Sequence, residues 1–352
     1  MHTVIEKITG QEIIDKKIFE KAKEILRTGG LVAFPTETVY GLGADALNAE
    51  AAKKIYAAKG RPSDNPLIVH IAEISALTRL AIDIPDLAYK LAERFWPGPL
   101  TIILKKSEIV PMSTTGGLET VAIRMPAHKT AKELIKQSGI YIAAPSANLS
   151  GKPSPTKGEH VEKDMFGRIP MIIEDDTVDI GVESTIVDLT ENFPTILRPG
   201  FITKKMLEEA IGEVRVDPAI LLNSQITARP KAPGMKYKHY APEAEIKILE
   251  GDPKNVYNSI NELVKIDEEN NIKTAVLCSN ETAHNYKCKI IVTLGSRDDE
   301  AELARNLFAI LRDFDNRGIE KVYSESFASD NLGEAVMNRL LKAAGGNICT
   351  IR

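Results

Sequence analysis

Two α/β domains joined by a proline-rich, basic connector are what this sequence predicts, on three observations. The chain has 352 residues, too many for one ordinary domain, and 43% of them are apolar, enough to fill two cores. Short apolar runs of strand length alternate with amphipathic segments of helix length on both sides of residues 217–243. Within 217–243 the alternation stops and Pro218, Pro230, Pro233 and Pro242 accumulate, which predicts an extended linker. The domains are therefore read as 1–216 and 244–352, with the linker between them.

The elements follow in order. Residues 19–27 read as a helix with Ile18, Phe19, Ala22, Ile25 and Leu26 on one face, stopped by Gly29-Gly30. Leu31-Val32-Ala33-Phe34 is a buried-type strand ended by Pro35. The alanine-rich run 49–59 is a helix closed by Gly60, and 67–71 is a strand. Two amphipathic segments flank Pro85. Strands are expected at 101–104 and 120–124, a helix at 131–137, and strands at 140–144, 171–173, 185–189 and 195–197, with a last helix at 204–211. After the linker, strands at 246–249, 274–277, 290–294 and 321–324 alternate with helices at 256–264, 300–314 and 332–344, which implies a small parallel sheet.

Composition narrows the classes of function. A net charge of −4 argues against a general nucleic-acid coat protein, although it leaves room for a local basic pocket. Cys278, Cys288 and Cys349 form no CxxC pair, which fits a reducing compartment and offers no zinc site. The first thirty residues carry charges throughout, and no apolar run approaches the length of a membrane span. A cytoplasmic protein without membrane association is the expectation.

Two nucleotide-like strings fail on context. Gly41-Leu42-Gly43-Ala44-Asp45-Ala46 matches a relaxed GxGxxA pattern, but the preceding strand ends at Phe34, too early for a Rossmann phosphate turn. Gly151-Lys152 lacks the earlier glycine of a P-loop (Ser146 stands there) and is followed by Pro153. Other strings have two readings each. Lys59-Gly60-Arg61, with Asn65, suits a polyphosphate, or is a cation pair at a helix C-terminus. Pro145-Ser146-Ala147-Asn148 follows a buried strand, as a ligand crevice would, or is an ordinary turn. Glu183-Ser184-Thr185 and Arg198-Pro199-Gly200 also put polar groups at strand ends. Arg124, in a strongly apolar strand, needs a carboxylate or a bound anion as partner. In the linker, Lys236-Tyr237-Lys238-His239-Tyr240 is an odd choice for an inert spacer.

Taken together, the string from Phe34 to Gly43, then Lys59-Gly60-Arg61 with Asn65-Pro66-Leu67, Trp96-Pro97-Gly98-Pro99-Leu100-Thr101, Pro145-Ser146-Ala147-Asn148, Glu183-Ser184-Thr185-Ile186 and Arg198-Pro199-Gly200, resembles the YrdC-like family in order and spacing. The string from Ala232 to Pro242 resembles the linker of its two-domain members, the longer threonylcarbamoyl-AMP synthases. The resemblance spans nearly the whole chain and is weaker over the last hundred residues. It implies a twisted mixed sheet with helices and a positive concave face, followed by a small Rossmann-like parallel domain. It also implies a nucleotidyltransferase. L-threonine and bicarbonate form N-carboxythreonine, which attacks the α-phosphate of ATP to give L-threonylcarbamoyl-adenylate and pyrophosphate, the first step toward tRNA N6-threonylcarbamoyladenosine.

By the same resemblance Thr38, His70, Arg124, Ala144 and Ser184 line the threonine pocket. Arg61, Asn65, Thr120, Ser146, Ser154, Arg198 and Tyr237 contact ATP, with Lys59 and Asn148 completing the phosphate site, and the linker stretch from Arg229 to Tyr240 is expected to fold over the ATP site as a lid. Lys59 and Arg61 are the residues most expected to aid the chemistry by charge and position. Mg²⁺ is expected to arrive with ATP, without protein ligands or an organic cofactor. The product would pass to the tRNA threonylcarbamoyl-transferase machinery. A different class of reading is a double-stranded RNA or tRNA binder using the same groove, against which the net charge and the lack of interleaved aromatics count.

Overall fold

The computed structural model describes residues 2–175, 178–221, 230–233, 239–327 and 331–351. The chain forms two compact units, Met1–Ser150 with Ser154–Lys236, and Gly151–Pro153 with Tyr237–Arg352.

In the first unit the chain runs through β1 (Val4–Lys7), α1 (Glu12–Arg27), β2 (Val32–Phe34), β3 (Gly41–Asp45), α2 (Ala49–Lys59) and β4 (Ile68–His70). It continues through α3 (Leu77–Leu80), β5 (Ala81–Ile82), α4 (Asp86–Phe95), β6 (Leu100–Lys106), β7 (Thr120–Arg124), α5 (Lys129–Ser138), β8 (Ile142–Ala144) and α6 (Gly158–Met165). β9 (Met171–Glu174), β10 (Thr185–Asp188), β11 (Thr195–Arg198), α7 (Lys204–Ile211), β12 (Arg215–Val216) and α8 (Pro218–Leu221) complete it. The strands make one twelve-stranded mixed sheet in the order β1-β9-β2-β3-β8-β4-β7-β6-β10-β11-β12, with β5 beside β6.

On one face of this sheet, α1 and α5 cover Val32, Phe34, Ile142, Ala144, Met171 and Ile173. The opposite face carries the larger core, where residues of α2, α4 and α7 pack on β3, β6 and β7. Farther along the α1/α5 face, over β4, β7, β6 and β10, Ile68, Ala122, Ile103 and Ile186 meet Ala232 of the proline-rich segment.

Helix α2 shows why a predicted boundary holds. Asn48 caps its N-terminus by accepting from the N–H groups of Glu50 and Ala51, and Gly60 closes it in the left-handed conformation at φ +63°. The dismissed GxGxxA string is the antiparallel strand β3, paired with β2 and β8. Its Gly43 serves packing, since a Cβ there would sit 2.8 Å from Ile142 Cγ2 and from Phe34 Cε1.

Several expectations need correction. The helix read at 19–27 starts at Glu12, and β1, α6 and β12 were not anticipated. The segment before Pro85 is only the four-residue α3 leading into β5. Inside the expected linker, Pro218–Leu221 is helical, because proline's fixed φ suits the first turn of a helix.

The second unit comprises β13 (Glu245–Gly251), α9 (Pro253–Glu269), β14 (Thr274–Cys278), β15 (Ile291–Thr293), α10 (Glu300–Asn316), β16 (Lys321–Glu325), α11 (Asn331–Ala343) and β17 (Ile348–Ile351). The five strands are all parallel, in the order β15-β14-β16-β13-β17, as the alternating pattern predicts. β17 was not anticipated. Its alternating pattern is weakly apolar and half-exposed.

Candidate active site

Strand register assembles the site. His70 pairs with Ile142 and Arg124, Arg124 with Thr101, Thr101 with Ile186, and Ile186 with Arg198. Residues paired directly across a sheet project from the same face. His70, Arg124, Thr101 and Arg198, spread between positions 70 and 198 of the chain, are thus brought into one row. Ala144 shares that face through its pairing with Ile68, two residues before His70. Thr120 also shares it, four residues from Arg124 along β7 and so roughly 13 Å away along the strand.

Arg124 is buried and heavily engaged. Its Nη1 donates to Thr38 Oγ1 at 2.9 Å and its Nε to the Gly98 carbonyl at 3.3 Å. Its Nη2 lies 2.8 Å from Glu37 Oε1, an ion pair set off the N–H direction. Burial pushes the Glu37 carboxyl up, but the Arg124 charge and the backbone N–H of Ala127 outweigh it and hold the pKa below the ordinary value. Thr38 is set by the loop between β2 and β3, where the Thr36 hydroxyl donates to the Val39 carbonyl at 2.6 Å and sits 2.9 Å from Thr38 Oγ1. Glu37 was not singled out from the sequence. The signal that leads to it is the need of an arginine in an apolar strand for a buried carboxylate.

His70 is driven down to about 3, first by burial and then by the Arg124 charge, so it is neutral. Its Nδ1 lies 3.1 Å from the Ile68 carbonyl and 3.3 Å from the Ile142 carbonyl, which places the proton on Nδ1 and leaves Nε2 as an acceptor. Ser184 meets Thr101 Oγ1 at 2.8 Å and accepts from Arg198 Nη2 at 3.1 Å, while Arg198 Nε donates to the Ser184 carbonyl. Thr101 is a second participant that sequence reading missed. Ser154 donates to Glu183 at 2.6 Å, beside Ser184 in the chain.

Arg198, Ser154 and Thr120, expected at ATP, thus lie with this row, and the other described residues expected there form two further groups. Lys59, only 2% exposed, donates from Nζ to the carbonyls of Ser146 and Asn148, each at 2.5 Å. Ser146 in turn donates to Asn148 Oδ1 at 2.6 Å. These bonds give Lys59 the work of shaping the 146–148 loop. Arg61 holds its own turn, donating to the carbonyls of Asn65 and Pro66 at 3.3 and 3.1 Å. Asn65 is buried, and its Oδ1 has no hydrogen-bond partner among the described residues. Tyr237 lies outside the described residues. Among those described, no cluster of three or more His, Cys, Asp or Glu could hold a metal, and no helix is long and apolar enough to cross a membrane.

A family model described as "Telomere recombination" (Sua5, yciO, yrdC) matches residues 24–200, and one described as "Threonylcarbamoyl-AMP synthase, C-terminal domain" matches 202–345. The threonylcarbamoyl-AMP synthase of Pyrococcus abyssi is 50% identical over 344 residues, covering 98% of this chain and 99% of that protein. The Bacillus subtilis protein of the same name is 49% identical over 329 residues, 93% of each chain. The crystal structure of P. abyssi Sua5 complexed with L-threonine superposes with a TM-score of 0.92 at 48% identity, covering 100% of both chains.

Proposed function

The chain belongs to the threonylcarbamoyl-AMP synthase family, and from that premise we propose that it makes L-threonylcarbamoyl-adenylate from L-threonine, bicarbonate and ATP on the row His70–Arg124–Thr101–Arg198. The observation that carries the assignment of residues is that row, with Thr38 and Glu37 closing on Arg124 from the loop between β2 and β3.

The buried Glu37–Arg124 pair is neutral as a unit, and it complements an amino-acid zwitterion. The substrate carboxylate joins Arg124, and the amino group faces Glu37. The Nε2 of His70 is free to accept from the substrate hydroxyl. A site built for that bond rejects an analogue lacking it far better than an apolar pocket does. Once the amino group carries CO₂ as a carbamate, a carbamate oxygen attacks the α-phosphorus of ATP, the P–O bond to the β-phosphate breaks, and pyrophosphate leaves. Such transfer depends on positioning and on fixed charge. Arg61, Asn65, Thr120, Ser146, Ser154, Arg198 and Tyr237 are proposed as the nucleotide's contacts, with Lys59 and Asn148 shaping the phosphate loop. The unpartnered Oδ1 of Asn65 supports a ligand there. Mg²⁺ brought with the triphosphate, without protein ligands, would supply positive charge against the leaving pyrophosphate. The enzyme works in the cytoplasm and hands its product to a tRNA-modifying transferase.

The test is pyrophosphate release in the absence of RNA, which should require both threonine and bicarbonate. Equal release without threonine would refute the reading. Arg61→Ala should mainly weaken ATP binding. Arg124→Lys, which keeps a cation beside Glu37 but loses the guanidinium fork, should mainly weaken threonine binding. Each loss should be about ten- to a hundredfold by calorimetry.

A further inference from the structure

The second unit has a pocket of its own, about 370 Å³ in volume, at the carboxyl ends of β13 and β16. Its floor is apolar, with Leu249 from β13 and Val256 from the first turns of α9. Tyr257, Thr282, Arg297 and Ser326 supply polar edges. Crevices outside the carboxyl ends of parallel strands are where ligands bind in open α/β sheets, and this volume is at the lower end of the usual range for small-molecule sites.

What matters is which donors are already used. Glu325, at the end of β16, is 3% exposed. Its Oε1 accepts from the Ser279 N–H at 2.8 Å, the Thr282 hydroxyl at 2.9 Å and Arg297 Nη2 at 2.7 Å, and its Oε2 accepts from the Tyr286 hydroxyl at 2.7 Å. Four donors satisfy this carboxylate, so it has no need of a ligand. Its effect is to fix Arg297 by one edge, helped by Nη2 to the Ser326 carbonyl at 3.0 Å and Nε to Ser279 Oγ at 3.2 Å. The guanidinium is also 5.4 Å from the centroid of the Phe327 ring.

The other edge of Arg297, Nη1, has no partner among the described residues, and neither have the hydroxyls of Tyr257 and Ser326. The nearby acids are occupied. Asp252 accepts from the N–H groups of Lys254 and Asn255 at the start of α9, and Glu281 accepts from the Ser296 hydroxyl and the Arg297 N–H. Glu325 also lines the pocket, but its carboxylate is nearly out of water and already has its donors, so the polar groups left to a ligand are Arg297 Nη1 and the hydroxyls of Tyr257 and Ser326.

We propose that this pocket binds a small metabolite through an oxyanion group, a phosphate or a carboxylate. The group is held by Arg297 Nη1 with the hydroxyls of Tyr257 and Ser326, and the apolar body rests on Leu249 and Val256. The inference is independent of the synthase reading, because every residue it uses lies in the second unit.

The experiment is calorimetric titration of the full-length protein with AMP for the phosphate arm and benzoate for the carboxylate arm, using wild type, R297Q, Y257F, S326A and R61A. Support is binding of either probe that R297Q weakens by about tenfold or more, that Y257F or S326A weakens a few-fold, and that R61A leaves unchanged. The two hydroxyl variants leave the Glu325 network intact, so they report even if R297Q folds poorly. Pyrophosphate release by Y257F and S326A should match wild type, which separates this test from that of the synthase reading. Binding of AMP that R61A abolishes and the three pocket variants leave untouched would overturn the proposal, as would no binding of either probe at millimolar concentration.

Discussion

His70 and Arg124 sit side by side on β4 and β7, both nearly out of water, and their burial is resolved in opposite ways. The arginine is paired with a buried carboxylate, Glu37, 2.8 Å away. The histidine gives up its charge and is held neutral down to about 3. That has a consequence for stability. The unfolded histidine protonates below about 6.5 and the folded one does not, so below that pH the unfolded state binds more protons and stability falls. From pH 7 to pH 5 this single group should remove about 2 kcal/mol from the first unit. Glu37, whose folded pKa is lowered, contributes stability that is lost only at more acid pH, so the two effects fall in different windows. Urea unfolding followed by the fluorescence of Trp96, the chain's one tryptophan and buried in this unit, should show the pH 5 to 7 slope in wild type. His70→Gln should lack that part of it, and an unchanged slope would show that His70 titrates normally. That Arg124 required a partner was legible in the sequence. Which of the acids supplied it was not, because Glu37 is 87 positions away and only the pairing of β4, β7 and β6 beside the loop between β2 and β3 brings them together.

Elements with a strong apolar period or a clear cap were readable, and those without one were not. α2, α7 and β7 have the bounds expected of them, since a capping asparagine, a closing glycine or a following proline marks their ends. β3 escaped notice because Gly41-Leu42-Gly43 has poor strand propensity, and α6 because Gly158–Met165 is mostly polar. β3 is nonetheless central, lying between β2 and β8, with glycine required where Phe34 and Ile142 press against it. Gly43→Ala should therefore destabilise the first unit by about 1–3 kcal/mol, against the usual small gain from replacing a strand glycine. Denaturant midpoints compare the two directly, and a stabilised variant would mean that Phe34 and Ile142 can move aside at no cost. Phe34 also stands edge-on to His70, with ring centroids 6.3 Å apart, so displacing it should raise KM for threonine at the same time.

At the scale of the molecule, the sequence showed where the alternation of strands and helices breaks, and the cations and Tyr237 of the broken stretch raised the expectation of a lid over ATP. Proline content alone suits a tether or a strap equally. The described part of that stretch favours a strap. Ala232 is wholly buried among Ile68, Ala122, Ile103, Ile186 and Leu197, on the face that carries His70 and Arg124, and Lys231 pairs with Glu191 at 2.9 Å. That ion pair is exposed and contributes little, so the alanine seat is the stronger hold. The seat fits only a small apolar side chain. A glutamine there would place an amide among five aliphatic groups with no partner, and the easiest relief is for the segment to lift away while the sheet beneath stays folded. Ala232→Gln should therefore leave the free energy of urea unfolding reported by Trp96 within about 0.5 kcal/mol of wild type while the peptide bond after Lys231 becomes much more sensitive to trypsin. If the segment covers bound ATP, the same variant should lose most pyrophosphate release, and ATP with threonine should slow the cleavage in wild type but not in the variant. Equal trypsin sensitivity of the two proteins, with activity intact, would mean that the seat is incidental and the stretch only joins the two units.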